Sequence, residues 1–318
     1  PSRLRAKRTM NNSGILIVDK GAGCTSHDVV NRLRRLYGTR QVGHTGTLDP
    51  MATGVLPVLI GRAVKASEYL TAHDKRYEAK FFLGAVSDTG DSTGVLTETG
   101  APLPETDAVL AAAAAMRGRR LQTPPMISAV KVGGKKLLDY ARQGKTLDVP
   151  PREIEIYDIE AAPDGPRTYA LSLSVSKGTY VRTVISEIGE TLGCGAVMTA
   201  LGIGLARPIP ALRRTKCGGF SLDAAHTLEE IEAFCAEARD ALLLPVEAAF
   251  SALPQLKLPD FYARLCKNGC EIYQSKLGIA LPEGARLRLY DADGFFGLGE
   301  VREYLAGSAI KMIKLFVL

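Results

Sequence analysis

The sequence predicts an α+β fold: a mixed, largely antiparallel sheet flanked by helices, followed by a small β-rich module. Three observations predict it. Some segments alternate apolar and polar residues, the period of two that marks a half-buried strand, and others repeat apolar residues at helical spacing. The two kinds do not follow one another in regular βαβ order. From about Leu253 the texture changes to short strand patterns separated by glycine turns such as Lys267-Asn268-Gly269 and Pro282-Glu283-Gly284. A boundary near residue 251 then gives a basic tail at 1–13, a main domain at 14–250 and a C-terminal domain at 251–318.

In chain order, Gly14-Ile15-Leu16-Ile17-Val18 reads as a buried strand ending at Asp19-Lys20. Thr25 or Ser26 caps a helix whose apolar face is Val29, Val30, Leu33 and Leu36, with Gly38 just past its end. Arg32, Arg34, Arg35 and Arg40 gather on or after it, as a solvated face or as phosphate contacts. Residues 41–56 break every simple period and read as a loop that still carries apolar residues. Residues 76–83 alternate, with Tyr77, Ala79, Phe81 and Leu83 to one side. An alanine-rich helix spans 104–116. Residues 123–151 form a basic excursion with Pro124-Pro125, Gly133-Gly134, Lys131, Lys135, Lys136, Arg142 and Lys145, and a short helix near 136–143. Strands follow at 153–159 and 168–176, then helices at 180–192 and 227–239, the second capped by Thr227.

Composition excludes several classes. The chain has 318 residues, 46% hydrophobic and 23% charged, enough for a sizeable core and against bulk disorder. No apolar run reaches the ~18–20 residues of a membrane span, and no signal-peptide core follows the basic N-terminus. The six cysteines include no Cys-x-x-Cys pair, so no structural zinc site is expected, and a reducing cytoplasm is the expected location. The formal charge of +6 is a weak pointer to nucleic acid, because four of the positive charges lie in the first eight residues.

The densest motif is Gly43-His44-Thr45-Gly46-Thr47-Leu48-Asp49-Pro50-Met51-Ala52-Thr53-Gly54-Val55-Leu56. Its glycines permit tight turns and close approach by a ligand. Asp49 precedes proline, which extends its backbone, and sits between Leu48 and Met51. A carboxylate so placed needs a neighbouring cation to hold its charge. By itself an Asp-Pro in such a loop is as compatible with a plain turn. No Gly-Lys-Ser/Thr follows, so the loop is not a phosphate cradle of the Walker kind. It is not a dinucleotide fingerprint either, and no His-Glu-x-x-His is present for a metallohydrolase.

This motif resembles the signature of TruB-type pseudouridine synthases, the bacterial tRNA pseudouridine-55 synthases. The resemblance extends to Asp19-Lys20-Gly21-Ala22-Gly23-Cys24-Thr25-Ser26, Lys75-Arg76-Tyr77, Ser176-Lys177-Gly178-Thr179-Tyr180-Val181-Arg182-Thr183, Leu192-Gly193-Cys194-Gly195-Ala196 and Leu212-Arg213-Arg214. It covers residues 14 to about 223, and the tail resembles a PUA-type RNA-binding domain. The resemblance implies the pseudouridine synthase fold and a uridine in the tRNA T-loop as substrate, with no cofactor and no metal. It implies a monomer acting without a guide RNA or a membrane. Asp49 would be the covalent catalyst, Arg182 its ion-pair partner and Tyr77 the residue stacked on the target base. His44 would fill the space left by the extruded base, Lys20 would approach the polar network, and Tyr180 would pack against the pocket. The 124–150 insertion would lie against the RNA stem-loop through Lys131, Lys135, Lys136 and Arg142. The chain departs from the family in Gly202–Ala211, which separates Leu201 from Leu212-Arg213-Arg214. The expected apolar contact to the nucleotide is Leu201 or Leu212, with Leu212 preferred because Arg213-Arg214 follows it.

Overall fold

The computed structural model describes residues 13–70, 74–199 and 211–316. The basic tail and most of the 202–211 departure therefore lie outside the described residues. The expected α+β architecture is observed. An 11-stranded sheet carries the main domain, and a five-stranded sheet forms the C-terminal region. No described helix is long and apolar enough to cross a membrane.

The main sheet is assembled from β1 (Gly14–Lys20), β2 (Val42–His44), β3 (Thr53–Ile60), β4 (Lys75–Leu83), β5 (Gly118–Gln122), β6 (Arg152–Pro163), β7 (Thr168–Val175), β8 (Ala196–Met198) and β9 (Leu212–Cys217). Its order is β1-β3-β9-β4-β7-β6-β5. The strand His226–Thr227 lies outside β1, β2 pairs with β3, β8 pairs with β4, and the strand Phe220–Ser221 pairs with β9. Neighbours are antiparallel apart from β3 with β9 and β1 with His226–Thr227. Three helices cover one face: α1 (Ser26–Leu36), α2 (Thr106–Ala114) and α3 (Val181–Thr191). α1 opens on a capping box, in which the Asp28 N–H donates to Thr25 Oγ1 at 3.1 Å and the Thr25 N–H donates to Asp28 Oδ2 at 2.9 Å.

Alternate residues of β1 and β3 enter two different cores. Leu16, Val18, Leu56 and Val58 pack under the helices. Ile15, Ile17, Val55 and Leu59 pack on the other face with Phe250, Leu298 and Phe316, which joins the main sheet to the C-terminal one. A third core, including Leu289, Phe296 and Ile310, lies within the C-terminal sheet.

The structure corrects two expectations. Residues 53–56, read as the end of a loop, open a fully buried strand, Thr53–Ile60. A strand buried on both faces loses the alternating pattern, and Gly54 and Pro57 break what remains. Pro57 is tolerated because its missing N–H faces a gap between β9 and β2, where only its carbonyl is used, accepting from the Thr45 N–H at 3.2 Å. The single helix expected at 227–239 is two, Leu228–Ala233 and Ala236–Ala241. The buried stripe ends at Ile231 and the backbone turns extended at Phe234, so nothing holds one continuous helix. The helix expected at 104–116 spans Thr106–Ala114, bounded by Glu105.

Gly54 is required where β3 crosses β9. Its φ is +102°, and a Cβ there would sit 2.2 Å from the Arg214 carbonyl oxygen. Gly54→Ala should therefore destabilise the protein by more than about 2 kcal/mol, since left-handed strain and backbone overlap add. Denaturant unfolding monitored by circular dichroism measures it.

Candidate active site

Asp49 sits at the tip of the loop between β2 and β3, and three groups hold that loop in place. Ser26, in the first turn of α1, accepts from the Leu48 N–H at 2.9 Å and donates to the Leu48 carbonyl at 3.1 Å. The Gly23 N–H donates to the Pro50 carbonyl at 2.9 Å. Lys20 is fully buried at the end of β1, and its Nζ donates to the carbonyls of Gly21, Cys24 and Pro50 at 2.8, 2.7 and 3.3 Å. Burial pushes its ammonium below the usual lysine range.

Arg182 projects from the first turn of α3 and meets Asp49, with Nη2 3.1 Å from Oδ2. The arginine is buried, whereas the aspartate side chain remains 35% exposed to the cleft. Arg182 also donates to the carbonyls of Thr89 and Ile127, both at 2.8 Å. A second carboxylate, Asp91, lies 3.7 Å from its Nη1. Asp91 is itself buried and is anchored by the Thr89 hydroxyl and the Thr93 backbone N–H. One guanidinium is thus shared between an exposed carboxylate and a buried one.

These groups open on a cavity of about 330 Å³, within the range of small-molecule sites. Asp49, Tyr77, Tyr180, Arg182 and Leu212 all line it. Tyr77 is buried on β4, and burial pushes its phenol above the usual range against the pull of Arg214. Tyr180 is clamped through its backbone. Its N–H donates to Gln122 Oε1 at 2.8 Å, and Gln122 Nε2 donates to its carbonyl at 3.3 Å. Burial raises its phenol as well.

His44 and Lys20 are not part of the lining. His44 stands behind the loop, where its Nδ1 accepts from the Gly46 N–H at 3.3 Å, which leaves Nε2 as the protonated nitrogen of the neutral ring. Lys131, Lys135, Lys136 and Arg142 are exposed on the basic excursion, outside the cavity. A short hairpin of Lys131–Val132 with Lys135–Lys136 and the helix Leu137–Ala141 give the excursion its form. Its stem reaches the site, because Ser128, Ala129 and Val130 line the cavity. Leu201 lies outside the described residues. Of the arginines near α1, Arg32 is taken by a bidentate pair with Glu232 at 2.8 and 2.7 Å.

Sequence reasoning assigned no role to Arg214, Asp91, Lys75 or Gln122. The Leu212-Arg213-Arg214 match pointed to Arg214 without saying which way it turns. Nothing in the local sequence marks Asp91 or Gln122, whose partners lie far along the chain. Among the described residues there is no group of three or more His, Cys, Asp or Glu placed to hold a metal ion.

Residues 34–181 match the family described as TruB family pseudouridylate synthase (N terminal domain). The curated tRNA pseudouridine synthase B of Chromohalobacter salexigens is 38% identical over 300 residues, 94% of each chain. Its counterpart from Burkholderia mallei is 40% identical over 295 residues, 92% of this chain and 91% of that one. Among solved structures, a chain of the Cbf5-Nop10-Gar1 complex superposes with a TM-score of 0.69 at 24% identity, covering 96% of this chain and 85% of that chain. That likeness shows a shared fold.

Burial lowers the His44 pKa, and Arg214 adds to the shift. The unfolded chain then binds a proton at His44 more readily than the native one. Stability carried by the neutral ring is present above the unfolded value of about 6.5 and is lost as pH falls towards the lower native value. His44→Gln should flatten the pH dependence of unfolding below pH ~6.5, measured by urea denaturation across that window.

Proposed function

The chain belongs to the TruB family of pseudouridylate synthases, whose reaction converts a tRNA uridine to pseudouridine, and we propose that its target is uridine 55 of the T-loop. The observation that carries the reading is the contact of Asp49 with Arg182, 3.1 Å apart at the edge of a cavity lined by Tyr77, Tyr180 and Leu212. The target nucleotide swings out of its loop into this cavity, and stacking on Tyr77 offsets the cost of unstacking: each is worth a few kcal/mol. Asp49 acts as the covalent catalyst. Arg182 holds its charge and aims it at the nucleotide. Leu212 and Tyr180 close the apolar sides, and Lys20 and His44 act from behind by fixing the loop.

Isomerisation detaches uracil from C1′, turns it and rejoins it through C5. Atoms and redox state are conserved, so the reaction needs no cofactor. Water must be kept from the intermediate, because hydrolysis would leave an abasic ribose. The stem of the excursion, Ser128 to Val130, forms part of the cavity wall.

The exposed Lys131, Lys135, Lys136 and Arg142 contact phosphates of the T-stem-loop, and the C-terminal five-stranded sheet serves as a PUA-like RNA-binding domain at 251–318. The near full-length match to relatives named tRNA pseudouridine synthase B supports a protein that acts in the cytoplasm as a monomer, without a guide RNA.

Incubation with unmodified tRNA transcript, followed by chemical mapping of pseudouridine, tests the reading. Modification should appear in the T-loop, and its absence there overturns the assignment. Asp49→Asn should abolish product while tRNA affinity, measured by filter binding, stays within several-fold of wild type. The double substitution Lys131→Ala/Lys135→Ala should raise KM more than it lowers kcat. It should also make the dependence of log K on log salt shallower by about one unit for each phosphate that is no longer neutralised.

A further inference from the structure

Arg214 is the bulkiest of the fully buried side chains among the described residues, at 1% exposure. Its Nε donates to the Val55 carbonyl at 2.7 Å, and its Nη2 donates to the Gly46 carbonyl at 3.1 Å. The same residue stands opposite Tyr77 in the register of β9 with β4, and its charge pulls the phenol down against burial. Gly46 and Val55 stand on either side of Asp49, one before it in the loop and the other in β3. Gly46, Asp49, Tyr77 and Arg214 all line the one cavity.

We propose that Arg214 is a positioning residue for the isomerisation, fixing the Asp49 loop and the Tyr77 ring in one relative geometry. The proposal rests on the reading of Asp49 and Tyr77 given above. Three features carry it. An apolar side chain of similar length would fill this volume without desolvating a charge, so core filling alone does not account for an arginine. The guanidinium offers donors in a rigid planar fork, which fixes the directions of the two carbonyls from different segments that it holds at once. Arg214 and Tyr77 are directly paired across β9 and β4, so their side chains stand on the same face of the sheet and line the same cavity. The same charge opposes the effect of burial on the phenol.

Two measurements test this. The first compares kcat and KM of Arg214→Lys with wild type on a tRNA transcript. Lysine keeps the charge but loses the fork, so kcat should fall on the order of 10²-fold, as misplacement of reacting groups does, with KM within about threefold. The second places 3-fluorotyrosine at position 77 and follows its fluorine resonance against pH in the wild-type and Arg214→Met backgrounds. Loss of the counter-charge should move the midpoint up. A merely space-filling arginine would move neither. A kcat of Arg214→Lys within about threefold of wild type, an unmoved fluorine midpoint, or failure of both variants to fold overturns the proposal. A wild-type protein that makes no pseudouridine overturns the functional reading itself, and the fluorine midpoint still decides whether Arg214 controls Tyr77.

Discussion

The site depends on one buried cation. Arg182 has the carboxylates of Asp49 and Asp91 at 3.1 and 3.7 Å and the carbonyls of Thr89 and Ile127 at 2.8 Å. An exposed ion pair is worth about 0–1 kcal/mol. Removing one partner of a buried pair costs about 3–5 kcal/mol, because the other charge is left uncompensated. Asp49 is partly exposed and stands nearer the first case, and Asp91 stands in the second. Asp91 thus bears on where Arg182 sits, and Asp49 can meet the guanidinium while keeping a face open to a ligand. Three segments distant in sequence, the Asp49 loop, the 87–93 turn and the stem of the basic excursion, converge on this one side chain.

The doubly buried part of the sheet makes that convergence possible. β3 runs beside β9 only at Arg213–Thr53 and Arg214–Gly54. At that crossing glycine lets the backbones approach closely enough for Arg214 to reach both Val55 and Gly46. β4 lies on the other side of β9 and brings Tyr77 level with Arg214. Two arginines therefore bracket the Asp49 loop. Arg182 meets it at the carboxylate, and Arg214 meets it at its ends.

Much of this was legible in the sequence, for definite reasons. Alternation in 76–83 and helical spacing in α1 report half-buried elements directly. Asp49, Tyr77, Tyr180, Arg182 and Leu212 were found through motif blocks, and they do line one cavity. What stayed hidden had a different cause in each case. β3 is buried on both faces and shows no period. The break at Phe234 follows from where the apolar stripe ends, which only packing reveals. His44 and Lys20 sit in the right blocks but turn behind the loop, and spacing along a chain does not say which way a side chain faces. Asp91 and Gln122 act on residues some 90 and 60 positions away, beyond the reach of any local pattern.

The link between Arg182 and Ile127 bears on how chemistry and RNA contact are joined. Ile127 opens the stem that continues through Ser128, Ala129 and Val130 along the cavity wall to the exposed lysines of the hairpin. The exposed Lys131 and Lys135 therefore stand on a segment whose root is hydrogen-bonded to the guanidinium that meets Asp49. Under the proposed reaction, the wall that excludes water and the cation that aims the carboxylate are then parts of one connected unit. That arrangement suits a reaction whose intermediate must meet its own detached base before it meets solvent, since the segment that walls the cavity and the cation that faces the aspartate are held together by one hydrogen bond.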